Sequence, residues 1–546
     1  MEQQSDLQKR LLLALTLSFI VFIAFDLFMP KTIKPVEGNT TVQAQELNSE
    51  QTAPQVSTVN NTAPITNNSA NTVATVPSST SNQPISVPMS TSTFKVLTTV
   101  ESDIFVYKID EIGRIAQATM LEKKYNYQGQ KLELLNPNWV KPLEIRFSDA
   151  TLNSEALKTP YTTSTSSLNL SAGSAKVTLT QKLSSTTVTK EITFYKDGHY
   201  DININLSTPQ AYFIMPGRRP DADHTIYLVN QGAMLKKTNA EIHIIEDGDA
   251  DERLNGVNVD FASSFDRYFA SILYNFDKPL KVFTQVTKDE NALVFIQGEQ
   301  SFSLHGYLGP KESVVLKNID PKLVDAIEYG VITFFAKPLF QLLEWFHDLV
   351  GNWGWAIVLV TLLIKLILFP LSYKGMMSMQ KLKDLSPQMK EIKTKYGKDP
   401  QKMNMKMMEM YKKEGANPMG GCLPMLMQIP IFFAIYRVLL NAVELQGAEW
   451  ALWITDLSIK DPYFVLPILM GASMWYQQKL TPNTMTDPLQ QKIFQWLPVV
   501  MTIFFLTFPA GLVLYWLVNN LFTIAQQFII NSAYEKQKAA KAVLRK

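Results

Sequence analysis

Five apolar segments follow one another closely near the C-terminal end of the chain, at about residues 355–371, 423–440, 463–477, 493–508 and 512–530, and they restrict its fold more than any other feature. A helix needs about 20 apolar residues to cross a hydrocarbon core of ~30 Å, so these lengths describe a bundle of membrane-spanning helices, some of them short. Prolines fall inside them, with Pro424 and Pro430 in the second, Pro467 in the third and Pro498 in the fourth. As a helix, the apolar part of the third reaches only ~21 Å, which predicts a locally thinned bilayer. A further apolar run, residues 11–29, follows Lys9 and Arg10 and ends Phe25-Asp26-Leu27-Phe28-Met29-Pro30. It is too long for a signal-peptide core and has no small-x-small cleavage site, so residues 1–30 are expected to form an uncleaved transmembrane anchor.

Lysine placement sets the orientation. The stretch 373–420 carries Lys374, Lys381, Lys383, Lys390, Lys393, Lys395, Lys398, Lys402, Lys406, Lys412 and Lys413. By the positive-inside tendency it belongs in the cytoplasm. The connection after Leu440 holds Glu444, Glu449, Asp456 and Asp461 against Lys460, and the tail, 533–546, is basic again. Counting spans then places both termini in the cytoplasm and the long polar stretch before residue 321 outside. The net charge of +2 gives no general case for nucleic acid, and no DNA partner is expected. A single cysteine, Cys422, excludes an internal disulfide.

Residues 31–93 are rich in Ser, Thr, Asn, Gln and Pro and poor in aromatics. Such a composition cannot bury enough apolar surface to offset chain entropy and reads as a tether. From 94 to 320 the period becomes two. Val177, Leu179 and Gln181 alternate with Lys176, Thr178 and Thr180, and Ile202, Ile204 and Leu206 with Asp201, Asn203 and Asn205. Alternating strands divided by Asp-Gly, Pro-Gly and Gly-Pro turns predict an antiparallel β-sandwich outside the membrane. In 321–349, Ile327, Val331, Phe334, Phe335, Leu339, Leu342, Leu343 and Phe346 take helical spacing, with Trp345 close by. An amphipathic helix on the membrane surface is expected, followed by the core, 350–532.

Lys365 interrupts Leu362-Leu363-Ile364-Lys365-Leu366-Ile367-Leu368. A lysine at the centre of a span costs about 2.5–3.5 kcal/mol on insertion scales, so it is expected to face a wet cavity rather than lipid. Gln428, Ser473, Gln477, Gln495, Thr502, Asn519, Asn520, Thr523 and Gln526 give the other spans polar side chains for such a groove. The cytoplasmic stretch reads as a helical hairpin, with Gly397-Lys398-Asp399-Pro400 as stop and restart. Met376, Met377, Met379, Met389, Met403, Met405, Met407, Met408 and Met410 interleave with its lysines. Flexible thioethers fit either a surface for varied apolar partners or filler between the hairpin's two helices. Its charge attracts anionic lipid or ribosomal RNA.

Catalytic signals are poor. There is no phosphate-binding Gly-rich loop and no H-E-x-x-H, and the histidines are His199, His224, His243, His305 and His347. Asp247, Asp249 and Asp251 have the opening spacing of a calcium loop, but Glu252 replaces the required glycine and Asn258 the final glutamate, leaving a solvated turn. The chain is read as neither an enzyme nor a holder of a cofactor or metal. A secondary transporter would show half-repeats, which are absent, and an outward-facing carbohydrate enzyme would need a carboxylate pair in a sugar-sized cleft.

Three stretches, Asn417-Pro418-Met419-Gly420-Gly421-Cys422-Leu423-Pro424 with Gln428-Ile429-Pro430-Ile431-Phe432, Thr486-Asp487-Pro488-Leu489-Gln490-Gln491-Lys492, and Phe508-Pro509-Ala510-Gly511-Leu512-Val513-Leu514-Tyr515, resemble the YidC membrane-protein insertase family in its Gram-negative form. The resemblance covers nearly the whole chain. It implies a multi-domain inner-membrane protein: an N-terminal anchor, a periplasmic β-supersandwich, and a five-span helical insertase core with a cytoplasmic helical hairpin. The family's groove cation falls on Lys365, where arginine is commoner; lysine, unlike arginine, can lose its proton when desolvated. Thr361, Gln428, Tyr515 and Asn520 fall near matching groove positions, and Met376, Met379, Lys381, Met407 and Met408 on the hairpin's contact surface. The implied partners are nascent membrane proteins, the Sec translocon, the ribosome and membrane lipids. The implied activity is insertion and folding of new inner-membrane proteins, alone or beside the translocon.

Overall fold

The computed structural model describes residues 94–126, 129–222, 230–250, 253–397, 399–415, 423–481 and 488–544. The expected anchor at 1–30, the tether at 31–93 and Cys422 lie outside them.

Strands fill the first part, from Val96–Glu101 to Ser301–Pro310, in a four-stranded sheet packed on a thirteen-stranded one. The alternation read from sequence has its physical counterpart in Ser174–Lys182 and His199–Leu206, whose Val177, Leu179, Gln181, Ile202, Ile204 and Leu206 face the core. Pairing is antiparallel except where Val96–Glu101 meets Ser167–Asn169 in parallel. The inward phase also carries a charge. In Thr187–Tyr195 every second residue is buried, which brings Lys190 inside between the sheets. There Nζ donates to the carbonyls of Gly113 at 2.9 Å and Leu143 at 2.8 Å, and burial pushes the amine down to about 7. A short helix, α1 (Ala150–Ala156), is capped by the Asp149 side chain.

Asp247 sits in a turn whose Gly248 and Asp249 are exposed, as expected, but its own side chain is largely buried. It is held by Arg219 Nε at 2.9 Å, although burial still raises its carboxyl above the usual range, and Asp251 lies outside the described residues.

The mainly helical part of the chain begins at α2 (Ser313–Ile319). Two 3-10 turns, Pro321–Ala326 and Gly330–Ile332, follow, so the expected amphipathic helix starts at residue 333 rather than 321: α3 is Thr333–Val350. Pro321 and the left-handed Gly330 account for the broken start. Ala336, Phe340 and Leu343 of α3 are buried, while Phe334 is 82% exposed and Phe335 and Trp345 are exposed too. Gly351, at φ 67°, ends α3, its N–H donating to His347 O at 2.7 Å.

The apolar segments fold as α4 (Trp353–Ile367), α8 (Leu423–Asn441), α9 (Val465–Leu480), α10 (Pro488–Phe505) and α11 (Ala510–Leu544). Asn352 caps α4 by accepting from Trp355 N at 3.0 Å, and Asp461 opens α9 by accepting from Leu466 N at 2.7 Å. The first segment does not run straight to residue 371. It breaks after α4 and bends 63° into α5 (Phe369–Asp384), where Pro370 brings no N–H for the ladder to use. The fourth segment ends at Phe505 rather than 508. Conversely, α11 continues through the expected tail to Leu544 and measures about 50 Å, more than a bilayer core. Among the described residues α11 alone is long and apolar enough to cross a membrane; α4 and α5 meet that measure only as a bent pair.

Beyond α5, α6 (Ser386–Tyr396) and α7 (Pro400–Glu414) form the hairpin, with Asp399 capping α7 through Lys402 N at 3.1 Å. The core's other end carries the sandwich. Arg267, buried in a turn of the large sheet, donates from Nε to Leu440 O at 2.6 Å, giving one of the carbonyls left over at the end of α8 a partner.

Candidate functional site

The site rests on α4, α8 and α11, with α11 packed against each of the other two. On α4, Thr361 and Lys365 are one turn apart and share a buried face, although α4 is otherwise apolar on most of its surface. On α11, Tyr515, Asn519, Thr523 and Gln526 recur at four, four and three residues and so lie along one stripe. From α8, Gln428 reaches across to donate to Asn519 Oδ1 at 2.9 Å.

Lys365 is 8% exposed. Its Nζ donates to Thr523 Oγ1 at 2.9 Å, and Gln526 Nε2 donates to the Lys365 carbonyl at 3.4 Å. No carboxylate pairs with it among the described residues. Thr361, Lys365, Gln428, Tyr515 and Asn519, with Ile364, Leu368 and Ile431, line one cavity of about 10 Å³, room for roughly a single water. The cavity is small, and it sets a lysine among neutral hydrogen-bonding groups and apolar walls.

Asn520 is not part of this cavity. At 3% exposure it faces α9, donating to Ser473 Oγ at 3.2 Å and Met470 O at 3.5 Å. One helical residue turns a side chain by about 100°, so Asn519 occupies the groove and Asn520 joins two helices. The spacing of Asn519 from Tyr515 and Thr523 is the signal that separates them. The Thr361 hydroxyl is occupied locally, donating to Ile357 O at 2.7 Å.

On the hairpin, Leu382, Leu385, Met389 and Met410 form a small core, with Met407 packed on it. Met407 thus acts as filler, while Met405 and Met408 are exposed. Met376, Met379 and Lys381 are partly exposed, with Lys381 Nζ 3.4 Å from Gly415 O. At the hairpin's base Asp384 accepts from Tyr534 at 3.0 Å and pairs with Lys538 at 2.8 Å, tying α5 to the far part of α11.

Around this site the outer surface is apolar. Along α10 Ile493, Trp496, Val500 and Ile503 are exposed at helical spacing, as are Ile468 and Leu469 on α9 and Phe528 and Ile529 on α11. A contiguous apolar face of this kind is untenable in water and belongs against lipid. Fold and site together define a helical membrane protein with a buried lysine beside a small polar cavity in its core and a β-sandwich docked on one end.

Comparison with known proteins is specific. Residues 345–538 match the family described as 60Kd inner membrane protein, and residues 223–342 match the YidC periplasmic domain. The membrane protein insertase YidC of Campylobacter jejuni is 48% identical over 98% of this chain and 98% of its own. That of Wolinella succinogenes is 46% identical over 98% of this chain and 97% of its own. A solved structure described as an active YidC insertase with its first transmembrane domain resolved is 20% identical over 80% of this chain and 94% of its own, at a TM-score of 0.34, too loose to carry weight. The chain belongs to the YidC membrane protein insertase family, whose place is the inner membrane with a periplasmic domain.

Proposed function

We propose that the protein inserts newly synthesised membrane proteins into the bacterial inner membrane and helps them fold, with the groove around Lys365 receiving the client's polar residues. The observation that carries this reading is a lysine buried between helices without a counter-charge among the described residues. A group so costly to bury is retained where it meets an incoming partner. At an effective dielectric of 20, a client carboxylate 4 Å away gains about 4 kcal/mol, less its own desolvation.

In this reading α4, α8, α9, α10 and α11 are the five spans of the core, residues 11–29 add the anchor, both termini are cytoplasmic and the sandwich is periplasmic. Support comes from the lysines of the hairpin and from the short helices: α9, with 16 residues, reaches ~24 Å. Helices shorter than the hydrocarbon core thin the bilayer beside the groove and shorten the client's path. The client's apolar helix then passes along the α9–α10 face to lipid, and its transfer supplies the drive without nucleotide or cofactor. Exposed Met405 and Met408, among hairpin lysines, meet clients leaving the ribosome, and the Sec translocon is a second partner.

Reconstitution tests this directly. A short single-span client translated beside liposomes becomes protected from protease when the purified protein is present. Equal protection in empty liposomes excludes the insertase reading.

A further inference from the structure

A second cleft lies where the sandwich meets α3. It measures about 370 Å³, within the roughly 300–1,000 Å³ of small-ligand sites. Met234 and Ile244 from the large sheet, with Ile327 and Tyr329 from the connection to α3, make its walls apolar. Its polar groups are unevenly satisfied. Asp325 is bridged by Lys236 at 2.8 Å and Lys337 at 2.9 Å at the rim.

Glu328 is 7% exposed, and its Oε1 is fully buried without a hydrogen-bond partner among the described residues. A buried carboxylate oxygen left unpaired costs about 1–3 kcal/mol or more, and burial raises this carboxyl above its usual range. Gly330 keeps space open beside it, because a Cβ there would sit 3.3 Å from Glu328 Oε1 and 3.8 Å from Arg437 Nη2. Arg437 Nη1 is likewise buried without a partner. Glu328 faces Arg437 and takes a backbone hydrogen bond from Gly330, yet one oxygen of the first and one nitrogen of the second keep no hydrogen bond beside an apolar cleft, and the exposed Phe334 and Phe335 lie next to its Thr333 lip.

We propose that this cleft binds the headgroup of an aminophospholipid from the outer leaflet, its ammonium on Glu328, its phosphate toward Lys337, and its acyl chains along Phe334 and Phe335. A primary ammonium supplies three N–H donors to the carboxylate, whereas a trimethylated headgroup supplies none. The assignment rests on α3 lying at the membrane surface, as its amphipathic sequence leads one to expect, but not on insertion itself.

The test is native mass spectrometry of the full-length protein in micelles doped with equal phosphatidylethanolamine and phosphatidylcholine of the same acyl chains. The wild type is expected to retain the ethanolamine lipid at least tenfold over the choline lipid. Glu328→Gln removes that preference while its thermal midpoint stays within a few degrees of wild type. Ile244→Trp fills the apolar wall without touching the carboxylate and lowers retention too. Equal retention of the two lipids by wild type, or unchanged preference in Glu328→Gln, overturns the proposal and makes Glu328 and Arg437 an internal charge pair. Because insertion into liposomes is scored separately, failure here leaves the insertase reading standing.

Discussion

Replacing Gly471 with alanine is expected to drive α9 and α10 apart. A Cβ on Gly471 would lie 1.8 Å from Oγ1 of Thr502, 3.0 Å from its Cβ and 3.3 Å from its Cγ2, where ordinary contact begins at 3.4 Å. Turning Thr502 about χ1 does not relieve this. It moves the hydroxyl out of its 2.7 Å bond to Pro498 O, leaves the Cβ in place, and brings another Cβ substituent round on a β-branched residue that is stiff in a helix. The backbones must therefore shift by several tenths of an ångström, and overpacking on this scale costs about 1–3 kcal/mol. Two kcal/mol is roughly a thirtyfold change in the folding equilibrium. Unfolding in mixed micelles titrated with denaturing detergent reads the loss directly. Thr502→Gly alone costs about 0.3–0.5 kcal/mol of helix propensity, and combined with Gly471→Ala it should restore most of the packing, giving a coupling of about 1–2 kcal/mol. Wild-type stability in Gly471→Ala, or simple additivity in the double variant, would refute the close approach of these helices.

Three further outcomes are expected. Glu444, beyond the end of α8, accepts from Ser313 N at 2.9 Å, and burial pushes its carboxyl up to about 7. The neutral form is the one favoured in the folded state, so its contribution is complete below an unfolded pKa near 4.5 and is lost as pH rises through 7, by up to about 3 kcal/mol. Thermal unfolding of Glu444→Gln against wild type should show the variant gaining on wild type between pH 5 and 8; a constant gap would contradict this. A double-mutant cycle on Gln428→Ala and Asn519→Ala should give a coupling of about 1 kcal/mol in micelle unfolding, whereas Gln428→Ala with Asn520→Ala should be additive. Asp384→Asn should loosen the hairpin from α11 by less than about 1 kcal/mol, because the pair is exposed, and should raise amide exchange in α5 and α6 without shifting the global unfolding midpoint.

What could be read from the sequence follows physical lines. Strands with one face on the core, such as His199–Leu206, announce themselves by alternation, but Phe269–Tyr274 is buried on every residue and shows no period at all. Neither the thirteen-strand order nor the parallel pairing of Val96–Glu101 with Ser167–Asn169 is local, since both depend on chain distant in sequence. Lys365 stood out because a charge in an apolar run has few bland explanations. Asn519 and Asn520 could not be told apart by type, only by helical phase, and Tyr515, Asn519 and Thr523 set that phase. The 63° break after α4 had a local signal in Pro370, hidden because apolarity continues to Leu371. Of the hairpin methionines, Met389 and Met410 are filler, since two thin helices need them for a core, while Met408 is exposed.

The most direct test of the groove's role reverses its charge. Liposomes carrying wild type, Lys365→Met or Lys365→Glu are given clients whose translocated segment holds one aspartate, one lysine or neither, and protease-protected product is counted. Wild type is expected to favour the acidic client, Lys365→Met to lose about tenfold on it and little on the neutral one, and Lys365→Glu to favour the lysine client. If all three proteins insert all three clients equally, the buried lysine does not receive client charge and the groove mechanism is wrong.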